Sequence, residues 1–371
     1  MSSGRNFIGK TAAVSISIVF VCLVVLFSFC SKEEVPGITV AEAFELRMNG
    51  MVDSAKTGLE SIIADDSTNA AAWFELARTK HYMGLGNPRN LYESLGDIEH
   101  AIEQAVAYDP ENLIYAFYRG YFGYFNTYAL VMGQQPGGPE KAKEAISAFE
   151  HVLELKPDYH EATLYLIEMF SAPEQMGLGD NSAKAESLAV LLEELDPVFG
   201  AKARDIRMPP EGDRIALWSE LLSQNPDNPE VLEQLGKAYL YKDNLEPGKN
   251  HIEKALEADP ERKYLILDLA RYHLMNARSN PASKAEALEL ARDNISRYLA
   301  TEPIAPLKAY ALGLSSILES WGGSKEEGEK LREQATAIDP YFSKAFAVPP
   351  RILFSPPYEL SHYHSYFLRP L

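Results

Sequence analysis

"VLEQLGKAYLYKDNLEPGKNHIEKALEADP", residues 231–260, decides the fold of this chain. Leu232, Leu235, Gly236 and Tyr239 mark its first half, Gly248, Ile252 and Ala255 its second, and Pro260 ends it. Steps of three and four place side chains on one face of a helix. Two antiparallel helices can cross closely only where small residues let their backbones approach. Gly236 and Gly248 meet that need, and the large apolar residues beside them fill the gaps. The proline then stops the second helix, because the residue before a proline is driven out of the helical region.

The ending recurs. "AIEQAVAYDP" (101–110), "AFEHVLELKP" (148–157), "AVLLEELDP" (189–197) and "EQATAIDP" (333–340) are looser copies, and they set Pro110, Pro157, Pro197, Pro226, Pro260, Pro303 and Pro340 in register, with Ser67 in the equivalent earlier place. Between Pro226 and Pro260 the interval is 34 residues, and the marked positions stand at the spacings of the tetratricopeptide repeat, which this stretch closely resembles. The resemblance implies an all-α, right-handed α-solenoid of about eight TPR-like hairpins over residues 38–340. Other copies keep part of the pattern. Examples are Ala55 and Leu59, Trp73 with Leu76 and Ala105, Ala145 with Phe149, Leu166 with Ala185, Leu269 with Ala291, and Gly313 with Ala335. "RMPPEG" (207–212) breaks the unit near 199–226, which reads as degenerate. Intervals longer than 34 carry their surplus between the two helices of a hairpin, in stretches such as "MGLGNPRNL" and "MGQQPGGP". These predict long loops along one edge of the solenoid.

The N-terminus reads differently. Arg5 and Lys10 precede "TAAVSISIVFVCLVVLFSFC" (11–30), after which "SKEE" turns the chain polar. Residues 1–29 form a lipoprotein-type signal or a membrane anchor, and 30–37 a tether. "LFSFC" resembles a bacterial lipoprotein signal, which implies cleavage before Cys30 and lipidation of its thiol. Phe29 departs from the small residue usual there, and the 20 apolar residues also suit an uncleaved span. Either way the basic flank puts the body outside the cytoplasm, at a bacterial periplasmic face or cell surface. Beyond Cys22 and Cys30 there is no cysteine, so the body forms no internal disulfide.

The net charge is −18. Arg5 and Lys10 are the only charges in residues 1–29, so the remainder carries 33 basic against 53 acidic residues, which disfavours nucleic acid as a partner. Catalytic patterns fail in turn. "HEATL" (160–164) has Leu164 where a zinc-protease helix needs its second histidine, and no G-x-S-x-G elbow or phosphate-binding loop occurs. His362 and His364 could face one side of an extended tail, but two ligands make no metal site. The reading is therefore not an enzyme, without cofactor or metal.

In the tetratricopeptide fold the first helices line a concave groove. At the positions that usually meet ligands stand Phe74, Arg78, His81, Tyr82, Phe117, Tyr121, Tyr124, Phe125, Lys237, Tyr241, Tyr264, Arg271 and Tyr310. The lysines and asparagines that grip a peptide carboxylate in the best-known member are not reproduced. An aromatic lining suits an extended peptide or a small apolar ligand, although at least half of these rings are expected to be core. Two functions follow: a membrane-tethered scaffold binding a partner protein or peptide, or a ligand-capturing accessory component of a solute transporter. The Pro- and aromatic-rich tail, 341–371, is expected to cap the last hairpins against Tyr310, Leu314 and Trp321.

Overall fold

The computed structural model describes residues 37–84, 88–172 and 178–343. The leader, Cys30, most of the tether, and the tail from residue 344 with its two histidines lie outside the described residues. Residues 1–38 and 39–371 separate as two units, and the described helices belong to the second.

Those helices are sixteen, in eight antiparallel pairs: α1 (Val40–Met48) with α2 (Val52–Asp65), α3 (Ala70–Gly84) with α4 (Pro88–Tyr108), α5 (Leu113–Met132) with α6 (Gly138–Leu155), and α7 (His160–Phe170) with α8 (Ser182–Leu195). The remaining four are α9 (Pro197–Arg207) with α10 (Arg214–Gln224), α11 (Pro229–Tyr241) with α12 (Leu245–Ala258), α13 (Tyr264–Ser279) with α14 (Lys284–Leu299), and α15 (Ala305–Gly322) with α16 (Lys325–Ile338). No strand occurs among the described residues. The fold is an all-α stack of tetratricopeptide-like hairpins.

The close crossing sits where the glycines predict it. A Cβ on Gly236 would lie 2.7 Å from Ile252 Cγ1 and 3.1 Å from the Gly248 carbonyl oxygen, so the two backbones touch. Small residues recur at two positions of the second helix: Ala55, Ala145, Ala185 and Ala291 where the sixth hairpin has Gly248, and Ala105 and Ala335 where it has Ala255. Each of these alanines is buried to within 1% exposure. A larger side chain there would push the hairpins apart.

The acid before the proline has a second task. Asp196, Asp259 and Asp339 all leave the helix in extended conformation (φ −148°, −140° and −150°), as the following proline requires. Each then turns its carboxylate onto the next amides: Asp196 accepts from Val198 and Phe199, Asp259 from Glu261, Asp339 from Tyr341 and Phe342. One dipeptide ends a hairpin and starts the next turn.

Two expectations need correction. The surplus residues of the second and third hairpins lengthen helices rather than loops: α4 has 21 residues and α5 has 20, against 13 in α11. Long helices bury more apolar surface than long loops, and Ile98, Ala101 and Ile102 of α4 are buried. The fifth hairpin, expected to be degenerate, keeps both helices. Met208, before Pro209, ends α9, and Arg214 ties the bend by donating to Asp205 at 2.5 Å and to the Met208 carbonyl at 3.1 Å. α9 packs more against α8 than against its own partner α10. Its alanines are divided: Ala203 joins a small core with Ile167 and Leu192, Ala201 another with Trp218 and Leu235.

The two ends of the stack meet. The Tyr82 hydroxyl of α3 donates to Asp339 at 2.5 Å, and the Tyr341 hydroxyl donates to Asp53 of α2 at 2.8 Å. Phe342 stacks on Tyr82 (centroids 5.5 Å apart) and also meets Tyr310 of α15 (5.8 Å). Gly50, at φ +79°, sits so close under the Ile338 carbonyl that no Cβ could fit. Phe342, counted with the tail, thus touches Tyr310 while also bridging to the second hairpin.

Candidate functional site

Twelve of the thirteen positions assigned to the groove are buried, each exposed by 7% or less; the other, Tyr241, is 49% exposed. An open aromatic lining is therefore not what these residues present. Phe74 stacks on Tyr115 (4.7 Å) and meets Tyr118 edge-on (4.9 Å). Phe117 packs among Phe149, Tyr159 and Tyr165, and Tyr121 against Phe125 at 4.9 Å. His81 lies between Phe122 (5.2 Å) and Phe125 (4.9 Å), and burial lowers its pKa to about 3, so its imidazole is neutral. The repeat aligns these rings along successive first helices, where Phe117 meets Phe149 of its own hairpin and Tyr165 of the next, and Tyr121 meets His81 of the one before.

Charges run through the same face. Glu75 accepts from Arg47 Nη2 at 2.6 Å through one oxygen and from Arg78 Nη1 at 2.9 Å through the other. All three side chains are buried, and the guanidinium of Arg47 lies over Phe44 (5.3 Å) and Tyr82 (5.5 Å). Burial lowers the Arg47 pKa, opposed by Glu75.

A second cluster joins the sixth hairpin to the seventh. Glu233 accepts from Lys237 (2.6 Å), from the Tyr264 hydroxyl (2.9 Å) and from Arg262. Arg262 also reaches Glu230 at 3.0 Å and Asp259 at 3.1 Å. Burial alone would raise Glu230, but Lys202 and Arg262 outweigh it and hold the carboxyl down at about 2. Arg271 pairs with Asp268 at 2.8 Å one helix further. Tyr124 donates to Glu168 at 2.6 Å, whose pKa is raised by burial.

In sequence, Arg78, Lys237, Tyr264 and Arg271 stand out as groove cations and rings, whereas Glu75, Glu233 and Asp268 look like ordinary acids of a helical surface. Glu75 to Arg78 and Asp268 to Arg271 are three apart and Glu233 to Lys237 four, a spacing that was the available signal. Chemically, the clusters are acids locked to cations, anchors of fixed charge. No group of three or more His, Cys, Asp or Glu that could hold a metal occurs among the described residues.

Residues 229–262, comprising α11, α12 and the 3₁₀ turn Pro260–Arg262, match the family of tetratricopeptide repeats. This hairpin is a tetratricopeptide repeat. No curated protein matches it. Among solved structures, MamA is 18% identical over 59% of this chain and 89% of its own, with a TM-score of 0.27. YrrB, described as a TPR protein with an unusual peptide-binding site, is 16% identical over 64% of this chain and 91% of its own, with a TM-score of 0.26. The human IFIT1 dimer with m7Gppp-AAAA is 14% identical, covers 80% of this chain and 88% of its own, and has a TM-score of 0.32. In the stack the matched hairpin, the sixth, is the regular one and directly follows the proline-bent fifth.

Proposed function

We propose that this chain is a non-catalytic interaction scaffold for a partner protein or extended peptide, held outside the cytoplasm at a membrane. The repeat itself carries this reading: tetratricopeptide repeats generally mediate protein or peptide contacts, because stacked hairpins offer the same positions at a fixed spacing, which an extended chain can follow. The buried acids are held by cations, which suits a structural and recognition role. Among the described residues no helix is long and apolar enough to cross a membrane, so the tether we propose rests on residues 11–30, by lipid on Cys30 or by an uncleaved span.

A second reading, capture of a small apolar ligand for a solute transporter, is favoured by one observation: the ends of the stack meet, and the rings of the first helices are enclosed. Native mass spectrometry of the full chain purified from membranes separates the two. A stoichiometric co-purifying polypeptide supports the scaffold, and a bound small molecule supports the second reading. Purified chain that carries neither, and that cross-links to no polypeptide in intact membranes, sinks both.

A further inference from the structure

We propose that the seam between the first and last hairpins is a clasp that opens while the hairpins stay folded, giving a partner polypeptide access to the face shared by the first helices. The second clause rests on the scaffold reading; the first does not.

Most consecutive hairpins pack along whole helices, the sixth and seventh least of all, and one apolar core runs through them. The seam joins the same core through Phe342, Tyr82 and Tyr310, but no pair of helices packs lengthwise across it. It consists of the Tyr82 hydroxyl on Asp339, the Tyr341 hydroxyl on Asp53, the Phe342 ring between Tyr82 and Tyr310, and Gly50 under the Ile338 carbonyl. No helix of the first two hairpins shares with α15 or α16 a contact comparable to those between consecutive hairpins. Opening the seam gives two hydroxyls and two carboxylates to water and exposes little more than the Phe342 contact, whereas parting hairpins that share whole helices exposes a row of apolar side chains. Opening therefore costs less here than between hairpins that share whole helices, and local opening follows the less costly interfaces.

What opening would uncover gives the clasp a purpose. Tyr82 and Tyr310 belong to the first-helix face at opposite ends of the stack, and both meet Phe342. The same face holds His81, Phe125 and Arg271, buried in the closed form. A partner too large to enter a closed stack reaches them once the ends part.

The test uses the full chain with Cys22 and Cys30 replaced by serine, which removes every native thiol. Spin labels at Ser54→Cys on α2 and Arg332→Cys on α16, both exposed, report the seam distance by pulsed electron resonance. A short-distance population with a minor long one is expected. Tyr82→Phe and Asp339→Asn should each raise the long population about fivefold, the ratio set by losing one hydrogen bond's worth of stability, with helix content unchanged. In parallel, a thiol at Phe125→Cys should react with a maleimide about fivefold faster in the Asp339→Asn background, by the same ratio. A single short distance that neither variant changes, or separation seen only with loss of helicity, overturns the clasp. Seam opening without a change in maleimide rate keeps the clasp and overturns its role in access.

Discussion

Arg47 and Glu75, 28 positions apart, meet through two nitrogens on one oxygen, at 2.6 and 2.9 Å, and so tie α1 of the first hairpin to α3 of the second with neither group exposed to water. Removing one partner of a buried pair costs about 3–5 kcal/mol, and because Arg78 still holds Glu75 the loss of Arg47 falls at the low end, about 3 kcal/mol. Arg47→Ala should lose that much in urea unfolding, and Arg47→Lys, which cannot make the two-nitrogen contact, should fall between. A loss within about 1 kcal/mol, the range of an exposed pair, would show that the contact is not buried in solution.

Gly236→Leu tests the crossing of α11 and α12. Leucine favours helix more than glycine does, so propensity alone predicts a gain. With Ile252 Cγ1 only 2.7 Å from the Cβ position, overpacking should win and cost about 1–3 kcal/mol. A melting temperature equal to or above that of the parent would reject this crossing.

Acid stability should carry the mark of His81. Its folded pKa lies at about 3 and its unfolded value near 6.5, so between these the unfolded state binds the extra proton and stability falls as pH drops. From pH 7 to pH 5 the loss attributable to this group is about 2 kcal/mol. His273, lowered to about 4 by burial and by Lys249, acts in the same sense. Glu168 and Asp339, both raised by burial, act in the opposite sense. The informative measurement is the difference between parent and His81→Phe: the variant should lose about 2 kcal/mol less over that range. Parallel curves would mean that His81 is not buried neutral.

Lipidation is tested by metabolic labelling with a fatty acid in the native export pathway, motivated by "LFSFC" before "SKEE". Label on the parent and none on Cys30→Ser is the expected outcome. Equal labelling, or a mature N-terminus at another residue, would leave the uncleaved span as the tether.

The hairpins were legible because their determinants are local. Gly236, Gly248, Ala255 and Pro260 act within one interval of 34 residues, so spacing alone reports them. Burial of the ring positions was only half legible: Phe117 and Tyr121 read equally well as lining or as core, and the choice depends on how tightly neighbouring hairpins approach. The charge clusters were less legible still, since Glu75 takes Arg47 from another hairpin and Glu233 takes Arg262 at a separation of 29. The seam left no trace in any window, because Tyr82 and Asp339 are 257 residues apart and a solenoid's curvature accumulates over every hairpin between them.

The divided alanines of α9 have a mechanical consequence. Four hairpins precede this short, proline-bent unit and three follow it, and its core is split between the two sides, Ala203 with one and Ala201 with the other. Bending stiffness comes from continuous packing, so two stiff arms joined at a compliant elbow are expected, with the elbow mid-chain and the Tyr82–Asp339 contact where the arm tips touch. Small rotations at Met208 and Pro209 would then be magnified by the length of the arms, and changes in "RMPPEG" should alter how far the tips part while leaving every contact at the tips intact.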